Sequence, residues 1–314
     1  MPFILEVKNL VKKYGEFTAV DDISFSINEG EIFSLLGPNG AGKSTTISVL
    51  STLFPATSGD ATICGYSVRQ DPMEVKRSIG VVPQEIALYE DLTALENLKF
   101  WGEMYGLTGK SLNIRIDEVL NEIGLKDRAK QRIKTYSGGM KRRVNIGVGL
   151  LHKPQLLFMD EPTVGIDPQS RRSILDSVKA LNKSGMSILY TTHYMEEAQE
   201  LSDRVGIIDH GKLIALGTQE ELTRQVGEND TLILHIAENE DPDRLIEGCK
   251  QIPGLINATA IDHEISIVTS SAEEIIAPIV SRFNELGGKI QSIEIREPNL
   301  EAVFLHLTGR ALRD

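Results

Sequence analysis

Up to about residue 67 the apolar and polar positions alternate in short runs, and each run predicts a strand. Residues 4–7, 23–27 and 61–64 are such runs, separated by the turn residues Asn28, Glu29 and Gly30 and by Ser58, Gly59 and Asp60. Residues 32–36 (Ile-Phe-Ser-Leu-Leu) are almost wholly apolar and bounded by Gly30 and Gly37, which predicts a buried strand. Residues 45–53 then predict a helix, and residues 78–83 a further strand ending at Gln84. From about residue 85 to 134 the spacing turns helical. Thr93-Ala-Leu-Glu96 has the form of a capping box, and residues 114–123 carry apolar side chains at helical intervals. Apolar strands return at residues 156–160 and at 187–192, the latter ending at His193, and residues 205–215 predict a hairpin around His210 and Gly211.

Beyond the polar stretch at residues 227–230 the texture changes. Alternation at 231–236, a helical pattern at 243–249, two short strands at 256–260 and 265–268, an amphipathic stretch at 271–286, alternation at 290–295 and a last helix at 299–307 follow in turn. That order, β-α-β-β-α-β plus a helix, is the ferredoxin-like one. It predicts a small α+β domain at residues 225–314, about the size of an independent core, with no catalytic cluster of its own. A contact or regulatory role suits it better than a second activity.

Composition changes this picture little. An apolar content of 41% and a charged content of 25% are ordinary for a soluble globular chain. No apolar run reaches the eighteen or so residues a membrane helix needs, and the N-terminal residues lack a signal-peptide pattern. Cys64 and Cys249 fit no metal-ligand spacing, which points to free thiols in a reducing compartment. Charge is more informative. Of the net −12, residues 1–224 carry −3 and residues 225–314 carry −9. An acidic C-terminal region argues against broad contact with nucleic acid or anionic lipid.

The candidate chemistry starts between the buried strand and its helix. Gly37-Pro38-Asn39-Gly40-Ala41-Gly42-Lys43-Ser44-Thr45 matches the phosphate-loop pattern G-x-x-x-x-G-K-[ST] in full, in its strand–loop–helix context. The glycines permit backbone bends that direct successive N–H groups at phosphate oxygens, and the helix start adds partial positive charge. Lys43 is placed to reach the β- and γ-phosphates, and the Ser44 hydroxyl to bind Mg²⁺. Farther on, the strand at residues 156–160 delivers Asp160 and Glu161 at its carboxyl end, where parallel sheets bind ligands. Asp160 suits Mg²⁺, and Glu161 suits a general base for an attacking water. Ser137-Gly138-Gly139 opens a helix and is a weaker candidate for a second anion site. Tyr14 reads either as a half-buried aromatic at a sheet edge or as a ring that stacks on adenine, and His193 as a structural or a catalytic group.

Five elements in this order resemble the ATP-binding-cassette (ABC) ATPases: the phosphate loop, Gln84 after a strand, Ser137-Gly138-Gly139, Asp160-Glu161, and His193 after a strand. The resemblance spans residues 3–224 and implies an α/β P-loop fold of the ABC type, a mixed sheet with a helical subdomain at about residues 85–155. It implies that Tyr14 stacks on adenine, and that Gln84 contacts Mg²⁺ and the attacking water and senses a membrane partner. By the same likeness Ser137, Gly138 and Gly139 close over the γ-phosphate held by a second copy, Asp167 links the two sites across that dimer, and His193 hydrogen-bonds the γ-phosphate. ATP and Mg²⁺ are the implied cofactors.

Tyr136 and Met140 replace the leucine and glutamine usual in the signature. With Glu161-Pro-Thr-Val-Gly-Ile-Asp-Pro168 and the tail at residues 298–309, the methionine resembles the subfamily that energises two-component drug and antibiotic exporters. A separately encoded ABC-2-type permease, a place at the cytoplasmic face of the membrane and no nucleic-acid partner follow as expectations. Export of lipid, polysaccharide or ions, or a nucleic-acid- or translation-linked ABC ATPase, are the alternatives. Only about 90 residues separate loop from signature, too few for the long coiled coil of chromosome-associated relatives.

Overall fold

The computed structural model describes residues 3–224, 230–237, 240–261, 263–296 and 299–308. The predicted boundary at residues 224–225 adjoins residues outside this set, and the ends of the tail motif, Pro298 and Gly309, also lie outside it. Contacts divide the chain into two compact units, one reaching Thr218 and one beginning at Gln219.

The first unit opens with the strands β1 (Phe3–Tyr14), β2 (Phe17–Asn28) and β3 (Ile32–Leu36), then the helix α1 (Lys43–Leu50). β4 (Ser58–Ile63), β5 (Tyr66–Ser67), α2 (Pro72–Ser78) and β6 (Ile79–Val82) follow. Three helices come next: α3 (Ala94–Met104), α4 (Gly109–Glu122) and α5 (Gly138–Leu150). The unit ends with β7 (Leu156–Asp160), α6 (Pro168–Lys183), β8 (Ser187–Thr192), α7 (Met195–Leu201), β9 (Arg204–Asp209) and β10 (Lys212–Gly217). Ser58 to Asp60, expected as a turn, belong to β4. Gly59 lies so close to β1 that a Cβ there would meet the Asn9 carbonyl oxygen at 2.1 Å, so the glycine serves a close backbone approach within the sheet.

One sheet is antiparallel, in the order β2-β1-β4-β5. The other runs β10-β9-β3-β8-β7-β6, with β9, β3, β8, β7 and β6 parallel and β10 antiparallel at one edge. The central strands β3, β8 and β7 of this second sheet are fully buried and mostly apolar because both faces are covered. Alternate residues serve different cores. Phe33, Leu35, Phe158 and Leu189 pack with the antiparallel sheet and α1. Ile32, Leu157, Met159, Ile188 and Tyr190 pack against α3 to α6. Phe25 of one sheet stacks on Phe33 of the other at 5.1 Å and 7°.

The helical region forms as its sequence signals. Thr93 Oγ1 accepts from the Glu96 amide at 3.1 Å, and Glu96 Oε2 accepts from the Thr93 amide at 2.8 Å. The single tryptophan, Trp101, lies on the helix this box opens, so its fluorescence reports on that helix. Thr93→Ala is expected to lower stability by about 1 kcal/mol, the usual cost of a lost N-cap, seen as an earlier urea transition at Trp101.

The second unit comprises α8 (Gln219–Arg224), β11 (Asp230–Ile236), α9 (Pro242–Cys249), β12 (Leu255–Ile261), β13 (Glu264–Thr269), α10 (Ala272–Glu285), β14 (Ile290–Arg296) and α11 (Leu300–Thr308). Its sheet is antiparallel in the order β12-β13-β11-β14, which is the ferredoxin-like arrangement. Leu232, Leu234, Ile265, Ile267, Ile275, Ile279 and Phe283 form its core. Both cysteines are free thiols, and among the described residues no helix is long and apolar enough to cross a membrane.

Candidate active site

Sheet topology assembles the site. In the parallel sheet β3, β8, β7 and β6 are neighbours, so Gly37, His193, Glu161 and Gln84 all follow the carboxyl ends of adjacent strands. The ladder is continued by two bonds past the strand ends. The Gly37 amide donates to the Thr192 carbonyl at 3.3 Å, and the Glu161 amide donates to the Thr191 carbonyl at 3.1 Å.

The phosphate loop takes the backbone its glycines allow. Gly40 and Gly42 have φ of 80° and 107°, in the left-handed region, and Gly42 caps α1. A Cβ at Gly42 would lie 2.5 Å from the Ala19 carbonyl oxygen. Lys43 is buried. Its Nζ donates to the carbonyls of Gly37 at 2.6 Å and Pro38 at 2.9 Å, and pairs with Glu161 Oε1 at 2.9 Å. Burial of Asn39, Ala41 and Thr45 varies with the curve of the loop; Ala41 is packed in the core beside Ile208.

Two oxygens face each other where a cation would sit. Ser44 Oγ donates to Asp160 Oδ1 at 3.1 Å, and Thr191 Oγ1 donates to the same oxygen at 2.7 Å. Burial pushes the Asp160 carboxyl above its usual range, the two hydroxyls and Lys43 pull it back, and Glu161 pushes it up again. A nearby cation would favour its ionised form.

Glu161 sits at φ 42°, an uncommon conformation for a residue with a side chain. Its amide is gripped by Thr191 Oγ1 at 3.0 Å. Its carboxylate lies between Lys43 and His193, whose Nδ1 is 3.3 Å from Oε2 without hydrogen-bond alignment. Lys43, Asp160, Glu161 and His193 are thus one buried cluster, with the exposed Ser44 at its edge. Among the described residues no hydrogen bond joins Tyr14, Gln84, Ser137 or Asp167 to it.

Those four occupy other places. Tyr14 is 44% exposed, stands edge-on to Phe54 at 6.3 Å, and has Lys12 Nζ 4.9 Å from its ring centre. Its open ring suits stacking. Ser137 caps α5 by accepting from the Met140 amide at 3.2 Å, and Ser137 and Gly138 are exposed. Gly139 is buried, and a Cβ there would meet Ser170 Oγ at 2.3 Å. Its bareness lets α5 approach the first turn of α6, the turn that Asp167 caps through the Ser170 amide at 2.9 Å. Those bonds from Ser170 hold the Asp167 carboxyl below its usual range.

Sequence reasoning missed several supports of the site. Arg142, on α5 and 3% exposed, donates to the carbonyls of Pro83, at 2.6 Å, and Gln84. The signature helix therefore holds the Gln84 loop by its backbone. Thr191 bonds the Asp160 carboxylate and the Glu161 backbone amide, and Glu197 is buried with bonds to Thr163 and Thr192. The signal for Arg142 was its place in a Lys141-Arg142-Arg143 run, where one cation of three faces inward; nothing in the local pattern singled out Glu197.

The profile of the ABC transporter family matches residues 20–164. The linearmycin resistance ATP-binding protein LnrL of Bacillus subtilis is 49% identical over 313 residues, covering 99% of this chain and 100% of that protein. The chain belongs to the ABC transporter family. The doxorubicin resistance ATP-binding protein DrrA of Mycobacterium tuberculosis is 38% identical over 96% of this chain and 92% of its own. Among solved structures, an ATP-binding subunit of an ABC transporter superposes with a TM-score of 0.64 at 33% identity, covering 71% of this chain and 93% of that one. A dimeric ABC cassette in a post-hydrolysis state, bound to ADP and Pi, superposes with a TM-score of 0.62 at 28% identity, over 68% and 98% of the two chains. As a member of this family the chain is an ATP-binding subunit that hydrolyses ATP.

Proposed function

We propose that this ABC ATPase powers export of a drug, antibiotic or other amphipathic compound through a separately encoded ABC-2-type permease, at the cytoplasmic face of the membrane. The observation that carries this reading is likeness over nearly the whole chain, the small C-terminal unit included, to proteins named for resistance to linearmycin and doxorubicin.

The roles follow from the cluster. Lys43 holds the β- and γ-phosphates, for which it must exchange the Glu161 carboxylate for a phosphate oxygen. That exchange frees Glu161 to polarise the attacking water. His193, at the end of β8, bonds the γ-phosphate, and Tyr14 supports the adenine. Mg²⁺ fits Ser44 and Asp160, two hard oxygens 3.1 Å apart, since this ion takes few protein ligands and shares phosphate oxygens. When bound it neutralises charge on those oxygens. Gln84, at the end of the strand beside Asp160, completes that shell.

Two copies pair head to tail, so that Ser137, Gly138 and Gly139 of one close over the phosphate loop of the other and Asp167 bridges the two sites. Exposure of Ser137 and Gly138 at the start of α5 supports this. Closure excludes water and strengthens the fixed positive groups around the γ-phosphate. Hydrolysis removes the bridging charge and reopens the pair. The permease docks on residues 86–100, where Tyr89, Leu95 and Phe100 are exposed apolar groups. Their exposure next to the Gln84 loop favours a transport role over a nucleic-acid-linked one.

The test is a deletion strain and a purified complex. Loss of the gene should sensitise cells to amphipathic antibiotics, and co-purified permease should stimulate ATP hydrolysis. Unchanged sensitivity to every such compound, with altered lipid or polysaccharide export, would transfer the chain to the alternative cargo class.

A further inference from the structure

We infer that Glu197 is a positioning residue for hydrolysis: its buried carboxylate fastens the loop that follows Glu161 to the loop that presents His193. The inference rests on the roles given above to Glu161 and His193. Glu197, on α7, is 2% exposed. Its Oε1 accepts from Thr163 Oγ1 at 2.6 Å, and its Oε2 accepts from Tyr190 at 2.8 Å and Thr192 Oγ1 at 3.0 Å. Thr163 lies two residues after Glu161, and Thr192 immediately precedes His193. The Thr192 hydroxyl also accepts from the Tyr194 amide at 2.9 Å, so the backbone is held on both sides of His193.

The same carboxylate reaches the interface-facing helix. Arg171 on α6 brings its Nε to 3.7 Å from Glu197 Oε1 and lays its guanidinium over the Tyr194 ring at 4.4 Å. Tyr194 in turn leans on the His193 ring at 4.2 Å. α6 begins at Asp167, and Ser170 in its first turn abuts Gly139 of the signature. A shift of that turn therefore reaches Glu197 through one helix and one side chain. Burial, and then the neighbouring Glu197 charge, push the Tyr190 phenol well above its ordinary range, so Tyr190 remains a donor to the carboxylate.

Packing alone does not explain the group. A buried carboxylate is costly to desolvate, and an apolar side chain of similar volume would fill the space at less expense of free energy. What Glu197 adds is direction: three hydroxyls, one on the loop after Glu161 and two on β8 just before His193, point at two oxygens.

Thr163→Val and Glu197→Leu keep volume and remove the bonds. We expect each to lower kcat by roughly 10- to 100-fold, the effect of a displacement of about 1 Å at a reacting group, with KM for ATP within about twofold because the phosphate loop is untouched. Glu197→Gln keeps acceptors for Tyr190 and Thr192 and can donate to Thr163, and it should restore kcat to within about threefold of wild type. In a Glu161→Gln background Thr163→Val should cost less in single-turnover hydrolysis than it does in the wild-type background, because one of the two groups it positions is gone. Thr163→Val serves where Glu197→Leu fails to fold. Wild-type kcat in Thr163→Val, parallel loss of kcat and ATP affinity, or fully additive losses in the double variant would each overturn the inference. Retained turnover in Glu161→Gln alone would overturn the active-site reading instead, so the two failures are separable.

Discussion

Glu161→Gln is expected to bind ATP normally, to lose turnover by about 10²- to 10⁴-fold, and to accumulate as a closed dimer in Mg-ATP. The substitution is nearly isosteric. The backbone at φ 42° and its bonds to Thr191 do not depend on the carboxylate, so the amide should occupy the same place. What it cannot do is take a proton from water. Without hydrolysis the bridging γ-phosphate is never removed, and closure has no exit. Size-exclusion chromatography with and without Mg-ATP, beside a phosphate-release assay, checks both halves. A purely monomeric profile in Mg-ATP would end the sandwich reading, and undiminished turnover would remove Glu161 from the chemistry.

Lys43→Ala should weaken ATP binding by roughly 10- to 100-fold, corresponding to the ~1.5–3 kcal/mol of a charge-assisted hydrogen bond. Lys43 is the buried cation of the cluster, and in its absence the Glu161 carboxylate keeps, among the described residues, His193 as its one ionisable neighbour of opposite sign. The variant therefore also leaves a buried carboxylate without its ion-pair partner, which is strongly unfavourable. Both effects oppose the approach of a second anion, the γ-phosphate. Calorimetric titration with a non-hydrolysed ATP analogue measures the loss, and an unchanged affinity would exclude the role given to Lys43.

The two variants separate binding from chemistry. The first should leave affinity intact and stop turnover, while the second should do the reverse in order of cause. The Thr163 and Glu197 variants fall between them, since they touch neither phosphate nor water and act only through the placement of Glu161 and His193.

Local information settled a good deal. The phosphate loop is nine consecutive residues matching one pattern, so the glycines, lysine and serine suited to phosphate stand together in the sequence. The Thr93–Glu96 box spans one helical turn and forms as written. The ferredoxin-like order was legible because each of its strands and helices has its own period. Less was visible in α6, where only Ile174, Leu175 and Val178 of sixteen residues are buried, a sparse apolar pattern beginning at Asp167-Pro168.

The rest depended on distance along the chain. Ser44 meets Asp160 across 116 residues, Arg142 meets Gln84 across 58, and Thr163 meets Glu197 across 34. The amino-acid sequence determined which residues have the chemistry and which local backbone they adopt, because propensity, periodicity and turn geometry act over a few residues. Only the tertiary structure decided that β8 lies between β3 and β7, which cation of three faces the Gln84 loop, and that a carboxylate on α7 bonds Thr163 and Thr192 beside the site. Strand order and burial arise from packing the whole core, and no short window of sequence contains that information.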